Sequence, residues 1–190
     1  MLTVVNSSAR ERITSAALVI VREHGFAGVT MRAVADRVGV TATALYRHCR
    51  DKDSLVAELR SQIVALFRSR IPEATAAETS EQQLRESLEA LPAFAREYPC
   101  YFDFVFAARQ GLADNQPDRS DPVLQLLVAR VQDCIKDGIL REDDPLEVTL
   151  TLLAHALGLV IVDRRYGFRT DPEALAVGRA SLERVLRGLA

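Results

Sequence analysis

The sequence has little that could form an enzyme active site. It contains no glycine-rich phosphate loop, no HExxH and no Gx[SC]xG motif, and its three histidines are scattered at positions 24, 48 and 155. The acidic run at residues 142–144 is typical of a charged turn and helix cap rather than of a paired-carboxylate site. The sequence therefore predicts no enzyme, no metal site and no cofactor.

Cysteine is also scarce. Cys49, Cys100 and Cys134 are widely spaced, odd in number and form no CxxC pair, which argues against a disulfide framework and for a reducing compartment. We expect Cys100 and Cys134 to be buried free thiols. The first residues lack the basic region and apolar run of a signal peptide. These features predict a cytoplasmic protein.

The net charge of −2 does not by itself indicate a nucleic-acid partner. Its distribution is more informative, because residues 1–60 hold nine Lys and Arg against six Asp and Glu, whereas the remainder holds fifteen against twenty. A basic N-terminal third joined to an acidic body is compatible with DNA binding by the first part. With 48% hydrophobic residues, the chain is long enough for a substantial core in one or two domains.

Residues 30–52 predict two short helices joined by a tight turn. Thr30 can cap the first helix, whose apolar stripe comprises Val34, Ala35 and Val38. Gly39 follows the stripe, where the end of a helix needs a residue that tolerates positive φ. Thr41 can cap the second helix, in which Leu45 returns to the core side.

The outward face of this second helix carries Ala42, Thr43, Tyr46 and Arg47. Small residues allow a helix to approach base edges, while hydroxyl and guanidinium groups can donate to bases or phosphates, as a helix-turn-helix requires. The alternative is an ordinary helical hairpin whose polar face is simply solvated. Spacing alone does not separate the two.

The string VTMRAVADRVGVTATALYRHCRDKDSL, at residues 29–55, resembles the DNA-binding segment of the TetR family of transcriptional repressors in order and spacing. The positions that meet the family pattern are Thr30, Arg32, Ala35, Gly39, Val40, Thr41, Leu45, Tyr46, His48, Lys52 and Leu55. Two positions depart from it. Ala44 stands where many members carry a phosphate-binding threonine, and Cys49 replaces the usual phenylalanine, which leaves a smaller plug in the hairpin core.

The resemblance implies DNA-binding roles at eight positions: Arg32, Thr41, Ala42, Thr43, Tyr46, Arg47, His48 and Lys52. Thr41, Ala42 and Thr43 would meet DNA at the start of the recognition helix, where side chains and free N–H groups are available. Arg47 would contact guanine or the backbone. Tyr46, His48 and Lys52 match positions that usually bind phosphates.

The whole pattern predicts an all-α fold of about nine helices. The resemblance implies a helix-turn-helix domain at residues 1–54 and a helical effector-binding and dimerisation domain at residues 55–190. We expect capping boxes at residues 8–11 and 80–83, and a kink or break at Pro92. The fourth helix should be continuous, and three Asp-Pro pairs, at residues 121–122, 144–145 and 171–172, should each begin a helix.

Residues 146–162 are apolar almost all round, which predicts a helix buried on both sides rather than a membrane span of about 20 residues. The last two helices favour a four-helix bundle between two subunits, and the resemblance implies the same homodimer interface. Phe102, Phe106, Leu153 and His155 could line an effector pocket, although aromatic residues at helical spacing are also typical of plain core.

These observations predict a sequence-specific DNA-binding regulator, and the resemblance implies a repressor that a small, largely apolar effector releases from a palindromic operator. Two alternatives remain open at this point. One is a DNA-binding dimer without an effector. The other is an all-helical enzyme or small-molecule-binding protein with no DNA function.

Overall fold

The computed structural model describes residues 8–72, 79–107, 121–166 and 172–190, and these ranges are mainly helical. The N-terminal helices are α1 (Ala9–His24), α2 (Met31–Val38), α3 (Ala42–Tyr46) and α4 (Lys52–Arg68). The remaining ones are α5 (Ser80–Glu97), α6 (Pro99–Phe102), α7 (Pro122–Lys136), α8 (Pro145–Tyr166) and α9 (Pro172–Leu189). A 3-10 turn, Phe26–Gly28, follows α1, and a π-helical turn, Asp103–Ala107, follows α6. Because the described ranges contain no strand, the predicted all-α fold is confirmed.

The chain divides into two compact units. The first comprises Met1–Leu66 with Tyr98–Asn115, and the second comprises Phe67–Glu97 with Gln116–Ala190. The division falls inside α4, which runs without interruption, as the sequence predicted. The functional boundary between residues 54 and 55 stays a prediction.

Helix α1 begins with the predicted capping box. The Ser8 hydroxyl accepts a hydrogen bond from the Glu11 backbone N–H at 3.2 Å, and the Glu11 carboxylate accepts from the Ser8 N–H at 2.8 Å. The helix buries one apolar stripe, Ile13, Ala17, Ile20 and Val21. It ends at Gly25, whose φ of +66° suits glycine.

The second unit has an apolar core in which α5, α7 and α8 pack together. Helix α5 contributes Leu84, Leu88, Leu91 and Phe94, and α7 contributes Val123, Leu127, Val131 and Cys134, all of them buried. Asp121 and Asp144 cap α7 and α8, as predicted, since each carboxylate accepts backbone N–H groups of the following first turn. The third predicted cap, Asp171, lies outside the described residues.

The start of α5 differs from the prediction. Thr79, not Ser80, caps the helix, because its hydroxyl accepts from the Gln82 N–H at 3.2 Å and its carbonyl accepts from the Gln83 N–H. Ser80 is already inside the helix, so the predicted capping box at residues 80–83 is wrong. Threonine and serine are both good N-cap residues, and because they are adjacent here the sequence could not show which of them caps the helix.

Pro92 does not break α5, which is continuous from Ser80 to Glu97. Proline removes one backbone hydrogen bond from a helix interior. Burial of Leu88, Leu91 and Phe94 around it, with Phe94 packed edge-on against Phe67 at 5.3 Å between centroids, favours the helix despite that loss.

The predicted burial of Cys100 is also wrong. Cys134 is fully buried, but Cys100, in the short helix α6, is only half-buried. Burial raises the pKa of the Cys134 thiol. All three cysteines are free thiols, as predicted for Cys100 and Cys134.

Within one chain helix α8 is buried along one face only, so the predicted burial on both sides would need the second subunit of the predicted bundle and stays a prediction. Val148, Leu152, Ala156 and Val160 are buried along one face, whereas Leu150, Val162 and Ile161 are 49%, 45% and 68% exposed. An apolar residue pattern on all sides of a helix does not show which of its faces pack against the same chain. By length and composition alone α8 could cross a membrane, but a core helix of a soluble protein meets the same criterion.

Candidate nucleic-acid interface

The turn between α2 and α3 forms as the sequence predicted. Thr30 caps α2 by accepting a hydrogen bond from the Ala33 N–H at 3.1 Å. Gly39 ends the helix in the left-handed conformation, with φ +79° and ψ +35°, and its N–H donates to the Ala35 carbonyl at 2.9 Å. This turn fixes the direction in which the chain enters α3.

Helix α3 has only five residues, so its local hydrogen bonds alone cannot stabilise it. Thr41 caps it by accepting from the Ala44 N–H at 3.2 Å. Leu45 is fully buried on its inner side and attaches the helix to the core. The Thr41 cap and the buried Leu45 therefore determine which residues of α3 face outward.

The eight predicted DNA-contacting residues are all solvent-exposed in the structure: Arg32, Thr41, Ala42, Thr43, Tyr46, Arg47, His48 and Lys52. They come from the start of α2, from α3 and its C-terminal turn, and from the start of α4. The intervening Val34, Ala35 and Leu45 are buried, so one sequence segment separates into an inner apolar face and an outer polar face. Contact of the eight with DNA stays a prediction.

The start of α4 is held by reciprocal hydrogen bonds between Asp51 and Ser54. The Asp51 carboxylate accepts from the Ser54 N–H at 2.7 Å, and the Ser54 hydroxyl accepts from the Asp51 N–H at 3.2 Å. The bond from the Ser54 N–H is the main reason that the pKa of the Asp51 carboxyl lies below its usual value. This cap fixes Lys52 as the first residue of the helix.

Two ion pairs that the sequence did not indicate attach α1 to its neighbours. Arg37 on α2 donates twice to the Glu23 carboxylate, at 2.7 and 3.2 Å, and Arg10 on α1 lies 3.0 Å from Glu58 on α4. The bond from Arg37 is the largest cause of the lowered pKa of Glu23. Oppositely charged residues far apart in sequence carry no periodic signal, so sequence reasoning could not have paired them.

Arg32 has an acidic neighbour in the free protein. Its Nε lies 3.9 Å from the Asp36 carboxylate one helical turn later, and its side chain is 91% exposed. Such an exposed pair contributes little to stability, about 0–1 kcal/mol. Arg32 is therefore free to exchange this partner for a phosphate or base.

Cys49 is buried in the hairpin core, as a plug smaller than phenylalanine would be. Its thiol donates to the Asp51 carbonyl at 3.3 Å. A cavity of about 170 Å³ lies beside it, lined by residues of α1 and α4 that include Ile13, Thr14 and Leu55. The helix-turn-helix therefore forms with a cysteine at this position.

The four predicted effector-pocket residues fall in different units. Phe102 and Phe106 belong to the first unit, where their rings lie 5.1 Å apart. Leu153 and His155 lie half-buried on α8 in the second unit. Burial lowers the pKa of His155, and its Nε2 has no hydrogen-bond partner among the described residues.

A cavity of about 370 Å³ occurs elsewhere in the second unit. It is lined by residues of α5, α7 and α9 and the segment after α7, among them Leu84, Cys134, Leu140 and Leu186, and by none of the four predicted pocket residues. Within the described ranges no group of three or more His, Cys, Asp or Glu could hold a metal ion. The predicted pocket residues stay a prediction.

Two family models match the chain. Residues 13–59 match the model of bacterial regulatory proteins of the TetR family, and residues 84–189 match that of the tetracyclin repressor-like C-terminal domain. The first match contains the whole α2–α3 hairpin and the start of α4. The second spans more than half of the chain.

Solved structures share the fold over nearly the whole chain. A TetR-family transcription regulator from Marinobacter aquaeolei VT8 has a TM-score of 0.72 at 15% identity and covers 95% of both chains. A TetR transcription regulator from Haloarcula marismortui has a TM-score of 0.66 at 22% identity, covering 95% of this chain and 97% of its own. A structure concerning control of antibiotic production by a bacterial hormone has a TM-score of 0.71 at 25% identity, covering 94% of this chain and 98% of its own.

No curated protein matches the chain by sequence at a significant level. The two family models nevertheless account for both of its parts, and the exposed helix-turn-helix has the geometry that the first of them implies. The chain belongs to the TetR family, and it is a DNA-binding transcription regulator rather than an enzyme.

Proposed function

We propose that the protein is a cytoplasmic repressor that binds a near-palindromic operator as a homodimer and leaves it when a small, largely apolar effector binds. The observation that carries the DNA-reading part is the exposure of all eight predicted contact residues around a hairpin whose inner face is buried. Two copies of α3 would enter successive major grooves. Operator palindromy would then mirror the two-fold symmetry of the dimer.

The exposed residues divide into two roles. Thr43 and Arg47 on the outer side of α3 would contact base edges, the first through its methyl or hydroxyl group and the second bidentately to guanine. Ala42 allows the helix to approach closely. Arg32, Tyr46, His48 and Lys52 would bind phosphates, with the N–H groups and hydroxyl of Thr41 at the start of α3.

Substitution of Arg47 by alanine is expected to change sequence preference. The loss of one base contact should lower affinity for the preferred operator by about 1–3 kcal/mol while leaving binding to unrelated duplexes much less affected. Fluorescence anisotropy on the operator and on duplexes with single base-pair changes measures this. Thr43→Ala should behave in the same way at a different base pair.

Lys52→Ala serves as the matched comparison. Removal of a phosphate contact should weaken all duplexes similarly and lower the slope of log K against log salt by roughly 1. If Lys52→Ala altered preference while Arg47→Ala did not, the two roles would be reversed.

The exposed apolar face of α8 supports dimerisation through α8 and α9. Leu150, Ile161 and Val162 on α8 and Val177 on α9 are large apolar side chains left open to solvent in one chain. Several large apolar side chains exposed on the same two helices favour an interface there. A second copy of the same two helices would complete a four-helix bundle and bury it.

The effector part of the proposal rests on His155. The buried Nε2 of His155 lacks a partner among the described residues, and buried polar atoms are normally hydrogen-bonded. Because burial lowers the pKa of His155, its imidazole is neutral at neutral pH and suits an uncharged polar group on an apolar molecule. One similar structure concerns control of antibiotic production by bacterial hormones, and we infer that this chain also responds to an effector.

We expect the effector and the operator to weaken each other's binding by about 1–3 kcal/mol, since linkage between two sites is reciprocal. Continuous α4 would transmit the change to the helix-turn-helix. The test is titration of candidate compounds against the protein with and without operator. His155→Leu should reduce compound affinity without changing operator affinity in the absence of compound.

The second candidate function is a DNA-binding dimer with no effector, since the cavity found in the second unit gives the predicted pocket residues no support. The cavity of about 370 Å³ is lined by none of the four residues predicted for a pocket. If every compound that binds leaves operator affinity unchanged, this second function is the correct one, and the body of the protein serves dimerisation alone.

A further inference from the structure

The environment of Lys52 is unusual for an exposed lysine. Its ammonium lies 4.9 Å from the centroid of the Phe26 ring, within the range of a cation–π contact. Lys52 is also the first residue of α4, where the positive end of the helix dipole disfavours a cation. The ring face therefore offsets part of a cost that the position imposes.

Phe26 is itself held in place by the turn after α1. Gly25 has a φ of +66°, and a Cβ added at Gly28 would lie 2.6 Å from the Cβ of His24, so the Phe26–Gly28 turn packs closely onto the end of α1. The Phe26 ring packs against Phe104, with centroids 5.2 Å apart. The ring thus has a fixed backbone on one side and an aromatic neighbour on another.

Phe104 belongs to a segment that is bonded to the same unit at two further points. The Tyr101 hydroxyl donates to the Leu18 carbonyl of α1 at 3.1 Å, and the Arg60 guanidinium of α4 donates to the Val105 carbonyl at 3.2 Å. Phe104 is buried between these two contacts along the chain. Phe104 therefore contacts Phe26, and Phe26 contacts Lys52, so these three residues connect the buried interior to the exposed start of α4.

We propose that Phe26 is a positioning residue for DNA binding, and that Phe104 supports it in that role. The ring limits the rotamers of Lys52 before DNA arrives and leaves ammonium N–H groups free to donate to a phosphate. Without the ring, the Lys52 side chain would lose its rotamer freedom only when it contacts the phosphate, and this entropy cost would weaken DNA binding. The inference rests on the proposed phosphate contact of Lys52.

Phe26→Leu tests the proposal, with duplex affinity measured as a function of salt. It should weaken binding to operator and unrelated duplexes alike, by about two- to five-fold, because Lys52 would then lose its rotamer freedom only on binding. Phe26→Tyr keeps an aromatic ring at this position and should bind duplexes as the unmodified protein does. In the Lys52→Ala background, Phe26→Leu should have no further effect on affinity.

Two more variants separate positioning from general packing. Pentafluorophenylalanine at position 26 keeps the shape of the ring but reverses its quadrupole. It should weaken duplex binding by about the same two- to five-fold, and it keeps the proposal testable if Phe26→Leu does not fold. Phe94→Leu, which removes the Phe67–Phe94 edge contact away from this segment, should leave duplex affinity unchanged.

The possible outcomes distinguish this proposal from the one it rests on. If Lys52→Ala leaves affinity and salt slope unchanged, the phosphate contact and this inference both fail. If Lys52→Ala weakens binding but Phe26→Leu or pentafluorophenylalanine does not, only the positioning role fails. The positioning role also fails if Phe26→Leu lowers duplex affinity equally in the unmodified protein and in the Lys52→Ala background.

Discussion

Ile161→Glu is expected to convert the dimer into monomers and to abolish tight operator binding. Ile161 is 68% exposed in one chain, on the face of α8 that also presents Leu150 and Val162. In the proposed four-helix bundle each copy would bury an unpaired carboxylate, which costs several kcal/mol. A monomer would bind only one half-site, so operator affinity should fall by about 100-fold or more, roughly half of the specific binding energy.

Light scattering and anisotropy on the same samples check both parts of this prediction. Gln132→Glu is the matched control, since it adds the same charge at an exposed position of α7. It should remain dimeric and bind as the unmodified protein does. A dimeric Ile161→Glu variant with normal operator affinity would show that α8 does not form the interface.

Leu45→Ala is expected to be the most destabilising single change in the helix-turn-helix. Leu45 is fully buried and is the main attachment of the five-residue α3 to the core. Truncation of a buried leucine costs about 2–5 kcal/mol, because a cavity remains. The variant should therefore lose operator affinity as well, since α3 would no longer be held.

Urea unfolding at fixed protein concentration measures the loss, because the stability of a dimer depends on concentration. Val40→Ala is the appropriate comparison, since Val40 lies in the same turn but is exposed. It should stay within about 0.5 kcal/mol of the unmodified protein. A Leu45→Ala variant as stable as Val40→Ala would mean that Leu45 does not anchor α3.

Local chemistry explains why the helix-turn-helix could be predicted from sequence. The caps at Thr30 and Thr41 and the left-handed turn at Gly39 depend on residues within a few positions of each other. The apolar stripe then follows from helical spacing. Every one of these features therefore lies within the segment that carries the family resemblance.

The contacts that support this segment could not be predicted in the same way. Glu23 pairs with Arg37, Phe26 packs on Phe104, and Lys52 lies over Phe26, and each pair joins different elements. Nothing in spacing indicates which charged or aromatic residues meet across a fold. The π-helical turn that carries Phe104 also has no sequence signature.

Helix α8 shows a different limit of sequence reasoning. Its composition indicates apolar surroundings on all sides and favours a second copy on one of them, but it does not say which residues that copy would cover. The structure buries Val148, Leu152 and Ala156 and leaves Leu150 and Ile161 open. The cap of α5 was misplaced for a simpler reason, since Thr79 and Ser80 are equally suitable and adjacent.

The most direct test of the central claim is selection of bound duplexes from a random pool with the purified protein, with its mass in solution measured alongside. The account predicts enrichment of a two-fold palindrome by a dimer of about 42 kDa, twice the 21.0 kDa chain. The half-sites should be about one helical turn, 10–10.5 base pairs, apart or a multiple of that. Failure to enrich any sequence at any salt concentration would contradict it, and would mean that the exposed face of α3 does not read DNA.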